Sequence, residues 1–194
     1  MNTNSYDIAN QQEQNFMKQY SSLLFFARHT AKGIISYGKN ICVLPDIEDA
    51  KFWIELKCKN RRLFYNDTGF SERLFDEYCA VQKITKKPII IAFKNAGKER
   101  LLWQAKELGY SEDHPAVQQA LYGEYGVCAK FVDGNGVPDW YGGFLSDLEL
   151  SRKKNGVTKQ TANNNGELNI YFPLSVMRPI SEVLKELQKR MDEY

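Results

Sequence analysis

Phe52-Trp53-Ile54-Glu55-Leu56-Lys57-Cys58-Lys59 alternates apolar and polar side chains over its length. In a β-strand, side chains two apart share a face. Phe52, Ile54, Leu56 and Cys58 then point one way, and Trp53, Glu55, Lys57 and Lys59 the other. A strand built so buries one apolar face and presents a carboxylate beside an ammonium on the other. Upstream stands Pro45-Asp46, followed by the turn Ile47-Glu48-Asp49-Ala50, which can bring a second carboxylate next to Glu55. Two carboxylates on adjoining strands make an oxygen-rich site of the kind Mg²⁺ prefers, with waters and phosphate oxygens completing it. A lysine alongside can orient a water or help to deprotonate it, which is the equipment for metal-assisted phosphodiester hydrolysis.

Glu-x-Lys alone is a common tripeptide, and the stretches downstream give it weight. The spacing predicts a helix over 70–85, with Phe70, Leu74, Phe75, Tyr78, Val81 and Gln82 on one side. An inward amide such as Gln82 needs hydrogen-bond partners. Pro88-Ile89-Ile90-Ile91-Ala92-Phe93 reads as a strand covered on both faces. Leu168-Asn169-Ile170-Tyr171-Phe172-Pro173-Leu174 leads into a terminal helix.

The order Asp, Glu-x-Lys, helix with Tyr-x-x-x-Gln, then buried strand resembles the PD-(D/E)xK nuclease superfamily, and within it the Holliday-junction-resolvase-like branch. The resemblance covers residues 10–95 well and the C-terminal third loosely. It implies an α/β, restriction-endonuclease-like core, a mixed central sheet flanked by helices. It also implies Mg²⁺-dependent hydrolysis of DNA phosphodiesters, with Mn²⁺ as a substitute. Asp46 and Glu55 would bind the metal, with the Leu56 carbonyl as a further ligand. Lys57 would position the attacking water, and Gln82 would support the constellation from its helix. A first-helix glutamate points at the metal in resolvase-like nucleases, and Glu13 resembles it; the bland reading puts Glu13 at a helix start, where negative charge is favourable. Asp49 competes with Asp46, which is preferred because Pro45-Asp46 matches the family pattern and leaves room for the turn. The resemblance further implies a homodimer where the substrate is a two-fold junction, since two cuts need two symmetric sites.

The bulk properties agree with a folded domain. The chain has 194 residues, 43% hydrophobic and 13% aromatic, which argues for one globular domain spanning 1–194. No apolar run reaches membrane-span length, and the N-terminus lacks signal-peptide character, so a cytoplasmic protein is expected. Cys42, Cys58, Cys79 and Cys128 are dispersed, which reads as reduced thiols. With only His29 and His114 to supplement them, they do not suggest zinc.

The net charge of +2 does not itself point to nucleic acid. Its distribution does more. Lys51, Lys57, Lys59, Arg61 and Arg62 face one acid, Glu55, within 51–62. Lys83, Lys86, Lys87, Lys94, Lys98 and Arg100 face Glu99 within 83–100. Both stretches flank the Glu55 strand, where phosphate must approach. Lys59, Arg61 and Arg62 are the expected DNA contacts, against the alternative of an ordinary solvated surface.

Elsewhere, residues 8–28 read as a helix carrying Glu13, Phe16, Met17, Tyr20, Leu24 and Ala27 on one stripe. Residues 33–44 read as a hairpin, 60–70 as a polar-aromatic connection, and 98–109 as a helix. Residues 110–126 are ambiguous, 127–132 read as a strand and 133–136 as a turn. Residues 151–167 look like a surface loop, either a basic flap or a plain insertion. The last helix, begun by Pro179, carries Ile180, Val183, Leu184, Leu187 and Met191, a stripe for the sheet or for a second subunit. No glycine-rich phosphate loop is present. Two other readings stand beside the resolvase-like, phage or mobile-element nuclease. One is a restriction-type nuclease on linear duplex. The other is a non-catalytic DNA-binding protein with a degenerate nuclease fold, disfavoured because Asp, Glu, Lys and Gln occur together.

Overall fold

A computed structural model of the chain describes residues 5–31, 33–37, 40–65, 67–127, 140–155, 158–161 and 168–192. In chain order it comprises α1 (Ser5–Gln19), β1 (Arg28–His29), β2 (Ile34–Tyr37), β3 (Asn40–Val43), β4 (Ile47–Glu48), β5 (Trp53–Cys58) and β6 (Asp67–Ser71). Then follow α2 (Glu72–Thr85), β7 (Ile89–Lys94), α3 (Lys98–Glu107), α4 (Pro115–Tyr122), β8 (Tyr141–Phe144) and α5 (Leu145–Asn155). The chain closes with β9 (Thr158–Thr161), β10 (Leu168–Pro173), β11 (Arg178–Pro179) and α6 (Ile180–Asp192).

The main sheet has the order β1-β4-β5-β7-β8-β11. Only β5 and β7 run parallel in it, joined by the α2 crossover; the other pairings are antiparallel. This is the expected α/β architecture, a mixed central sheet flanked by helices. β7 is buried at five successive positions, Ile89 to Phe93, as its unbroken apolar run requires of a central strand. β8 packs against it through Gly142, where a Cβ would lie 1.9 Å from the Ile91 carbonyl oxygen. That close approach is open to glycine alone.

Each face of the sheet has its own core. Phe52, Ile54, Ile90 and Ala92 meet Phe16 and Tyr20 around α1 and Ile180, Val183, Leu184 and Leu187 of α6. The terminal helix therefore spends its stripe on the sheet. On the other face, Trp53, Ile89, Ile91 and Phe93 pack under Phe75, Tyr78 and Val81 of α2, Leu145 and Leu148 of α5, and Phe70, Ile170 and Phe172. The last three come from a second sheet, β6-β10-β9. Leu63 joins Leu101, Ala105, Val117, Ala120 and Leu121 in a third cluster that anchors the 60–65 segment to α3 and α4.

Several boundaries differ from the expectation. The first helix ends at Gln19, and the chain turns through a short 3-10 segment to pair Arg28–His29 with β4. Phe70 belongs to β6, not to α2, because Asp67–Ser71 finds a ladder with β10 that local periodicity does not advertise. Residues 151–155 continue α5, and 158–161 pair with β10. Arg152 pairs there with Glu72 and Asp76 of α2, so it braces a helix and is not part of a basic flap. The hairpin β2–β3 is as expected, with Ile34 opposite Val43. The expected strand over 127–132 and turn over 133–136 fall, but for residue 127, outside the described residues.

Candidate active site

The site is assembled by strand register. β4 pairs with β5 so that Ile47 faces Ile54 and Glu48 faces Trp53. One step further along that antiparallel ladder, Asp46 falls opposite Glu55 and on the same side of the sheet. The contacts follow. The Asp46 amide donates to Glu55 Oε2 at 3.3 Å, and the Leu56 amide donates to Asp46 Oδ2 at 2.9 Å. Thr30 steadies the approach, its amide donating to the Asp46 carbonyl at 3.0 Å and its hydroxyl to the Pro45 carbonyl at 2.6 Å. Lys57, two residues on and sharing Glu55's face, closes an ion pair on Glu55 Oε1.

The face opposite Phe52 and Ile54 is not solvated as the alternation suggests. Trp53 is core, and Glu55 is only 2% exposed, because α2 and the second sheet cover it. Burial raises the Glu55 carboxyl to about 7, with the Asp46 charge adding to the rise; the Lys57 ammonium and a hydrogen bond with Tyr78 pull the other way. Burial and the Glu55 charge likewise push the Tyr78 hydroxyl far above its ordinary value. Lys57 remains partly open to solvent and lies beneath the Phe70 ring.

Tyr78 is thus the α2 side chain that reaches Glu55. The structure puts the Gln82 amide elsewhere: its oxygen accepts from the Ile89 amide at 2.9 Å, anchoring the start of β7. Both lie on the same helical stripe, and the Tyr-x-x-x-Gln spacing held the signal for Tyr78 without saying which residue would meet the carboxylate.

Asp49 is buried at the turn end of this ladder, its amide on the Phe52 carbonyl, three residues from Asp46. Its oxygens accept from the Phe25 amide at 2.6 Å and the Lys51 amide at 3.1 Å, which clamps two loops. Glu13 contacts His29 Nδ1 at 2.5 Å. His29 pairs with Ile47, whose side chain faces the α1 core, so this contact lies on the sheet face opposite Asp46 and Glu55. For Leu56 the contact with Asp46 is through its amide.

The expected DNA contacts also change character. Arg61 is 3% exposed, and its Nε donates to the Arg62 and Tyr65 carbonyls. Arg62 grips Asp67 through Nε, 2.8 Å from Oδ1, and through Nη2, with its guanidinium 4.2 Å from the Tyr65 ring centre and 4.0 Å from that of Tyr171. These two arginines are built into the fold because Asp67, backbone carbonyls and the Tyr65 and Tyr171 rings engage them where DNA contacts were expected. Lys59 stays exposed.

Among the described residues, no three His, Cys, Asp or Glu side chains form a metal-binding group. The pair Asp46 and Glu55 nonetheless suits a hard divalent cation, which asks for one or two carboxylates and fills its remaining positions with water. Two carboxylates against a single ammonium leave the local charge unbalanced, and the Asp46 charge adds to the rise that burial gives Glu55.

No family model matches the chain, and no curated protein does. Among solved structures, the chain is similar to Hjc from Archaeoglobus fulgidus, a Holliday junction resolvase from an archaeal hyperthermophile. The identity is 10%, the TM-score 0.44, and the match covers 90% of this chain and 98% of that one. At that score the likeness carries no chemistry across.

Proposed function

We propose that this chain is a metal-dependent nuclease that hydrolyses DNA phosphodiesters. One observation carries the reading: Asp46 and Glu55 stand opposite each other in register, with Lys57 on Glu55, in the middle of β5. Asp46 and Glu55 would hold Mg²⁺, or Mn²⁺ in its place, and the Leu56 carbonyl is a further donor next along the strand. The bound ion would lower the pKa of a coordinated water and neutralise charge on the phosphate.

This chain's own residues supply the rest. Asp46 is oriented by the Leu56 amide and Glu55 by Tyr78. Lys57, the solvent-facing member, would release Glu55 to the cation and turn to the phosphate, holding the attacking water and the developing charge. Gln82 acts at one remove, by fixing the parallel strand beside Glu55. Glu13, held by His29 on the other face of the sheet, stands outside this ligand set. Lys59, Lys94 and Arg100, all exposed around the same end of the sheet, suit the DNA backbone. A four-way junction would require two copies of the chain, one per cut. The free thiols among the described residues, Cys42, Cys58 and Cys79, suit a reducing cytoplasm.

A second reading has one observation in its favour. Glu55 is almost wholly buried and already paired with Lys57, as a structural ion pair in a non-catalytic DNA-binding protein would be. Incubating the protein with labelled four-way-junction, linear-duplex and single-stranded DNA, with Mg²⁺ and then with chelator, separates the two. Cleavage that needs the ion and is lost in Lys57→Ala supports the nuclease. Binding without cleavage on every substrate leaves the second reading.

A further inference from the structure

A cavity of about 750 Å³ opens at the C-terminal end of β5, where Cys58 and Lys59 line it, and Lys59 shares the strand face of Lys57. Two residues of strand span about 7 Å, so the cavity adjoins the candidate active site. Its volume lies within the range of small-ligand sites. Lys59, Arg61, Arg62 and Arg100 line it against one carboxylate, Glu107. Arg61 is the decisive member. It is 97% shielded, its Nη1 has no hydrogen-bond partner among the described residues, and Asp67, the carboxylate that acts on it, is gripped by Arg62. A shielded guanidinium whose hydrogen-bond partners among the described residues are carbonyls favours an anion in the space beside it.

The walls have a second chemistry. Arg62 lies between the Tyr65 and Tyr171 rings, and the Arg100 guanidinium sits 4.3 Å from the Trp103 ring centre. Tyr65 is 55% and Trp103 50% exposed, so these layered stacks end in open aromatic surface. Alternating guanidinium planes and aromatic rings are the platforms on which unpaired bases stack. A paired base in duplex DNA has its faces already covered. Anion and stacking surface together describe a nucleotide whose base is out of the helix.

We propose that this cavity takes an unpaired nucleotide of the DNA substrate, its base on the Tyr65 and Trp103 surfaces and its phosphate toward Arg61, Arg100 and Lys59. The proposal rests on the DNA-cleaving reading and narrows its substrate to DNA with unpaired nucleotides beside the cut.

The test is equilibrium binding of the full chain, in Ca²⁺, to a short duplex and to the same duplex with an internal bulge carrying a fluorescent base analogue. Wild type should bind the bulge about tenfold more tightly than the duplex and quench the analogue. Tyr65→Ala and Trp103→Ala should each lose about tenfold on the bulge and nothing on the duplex. Both side chains are half-exposed, so truncation leaves no core cavity, and circular dichroism checks the fold. Equal affinity for the two DNAs, equal losses on both, or an unquenched analogue overturns the proposal. Failure to bind either DNA overturns it together with the DNA-cleaving reading. Bulge preference without Mg²⁺-dependent cleavage upholds the cavity and removes only the nuclease.

Discussion

Lys57 with Glu55 and Arg62 with Asp67 are two shielded ion pairs contributed by neighbouring segments. In the second pair one carboxylate meets one guanidinium through two hydrogen bonds, between two aromatic rings, and the neighbouring charge, Arg61, is positive. In the first, Asp46 adds another negative charge, and the Glu55 carboxyl is raised to about 7, chiefly by burial. Planar, bidentate and stacked geometry is what arginine offers to architecture. A lysine is a point charge on a flexible stem, able to leave one carboxylate and meet a phosphate. The bidentate pair holds the fold; the unbalanced one, with its surplus carboxylate, retains the capacity to take a cation.

The largest effect should come from the unbalanced pair. Lys57→Ala and Glu55→Gln should each lower Mg²⁺-dependent DNA cleavage at least about a hundredfold while DNA binding persists. Gln is preferred to Ala at Glu55 because the side chain is buried and truncation would leave a void. Near-normal turnover in either variant breaks the contrast at its root.

Arg62→Ala should act on stability instead, by about 3–5 kcal/mol, because Asp67 is left shielded without its hydrogen-bonded partner. In a chain of this size that lowers the melting temperature by roughly 10 °C or more. An unchanged melting curve would show that the pair is only surface decoration.

The pH dependence separates the two pairs again. A carboxyl whose folded pKa lies above its unfolded value binds more protons in the folded state between the two. Its contribution is therefore fully present below about pH 4.5 and is lost as pH rises through about 7. In metal-free buffer, wild type should lose at most about 3 kcal/mol across that window relative to Glu55→Gln, which cannot titrate. Parallel pH–stability curves for the two proteins would refute it.

The smallest effect is at Tyr78. Tyr78→Phe should cost about 1 kcal/mol for the lost hydrogen bond. It should also move the Glu55 titration upward, because that bond favours the charged carboxylate. A downward movement would place the hydroxyl elsewhere.

How far residues alone could go differs along the chain. The β7 run and the stripes of α2, α3 and α6 were legible because burial on both faces, or on one helical face, writes its period into consecutive residues. β6 and β8 were not, being short strands whose ladder partners lie far off in sequence. Glu55 and Lys57 were legible as a pair because they are two apart on one strand, whatever it packs against.

The sequence by itself determined the succession of helices and strands, the strand covered on both faces after α2 and the charged face of β5, since all depend on local periodicity. Only the tertiary structure decided that Asp46, not Asp49, meets Glu55. It alone put Tyr78 rather than Gln82 on the carboxylate, turned Glu13 to His29, and enclosed Arg61 and Arg62. Those outcomes follow from strand register, from which residue of a helical stripe stands over a given strand position, and from aromatic rings brought in by β10. None of these leaves a trace in the neighbours of the residues concerned.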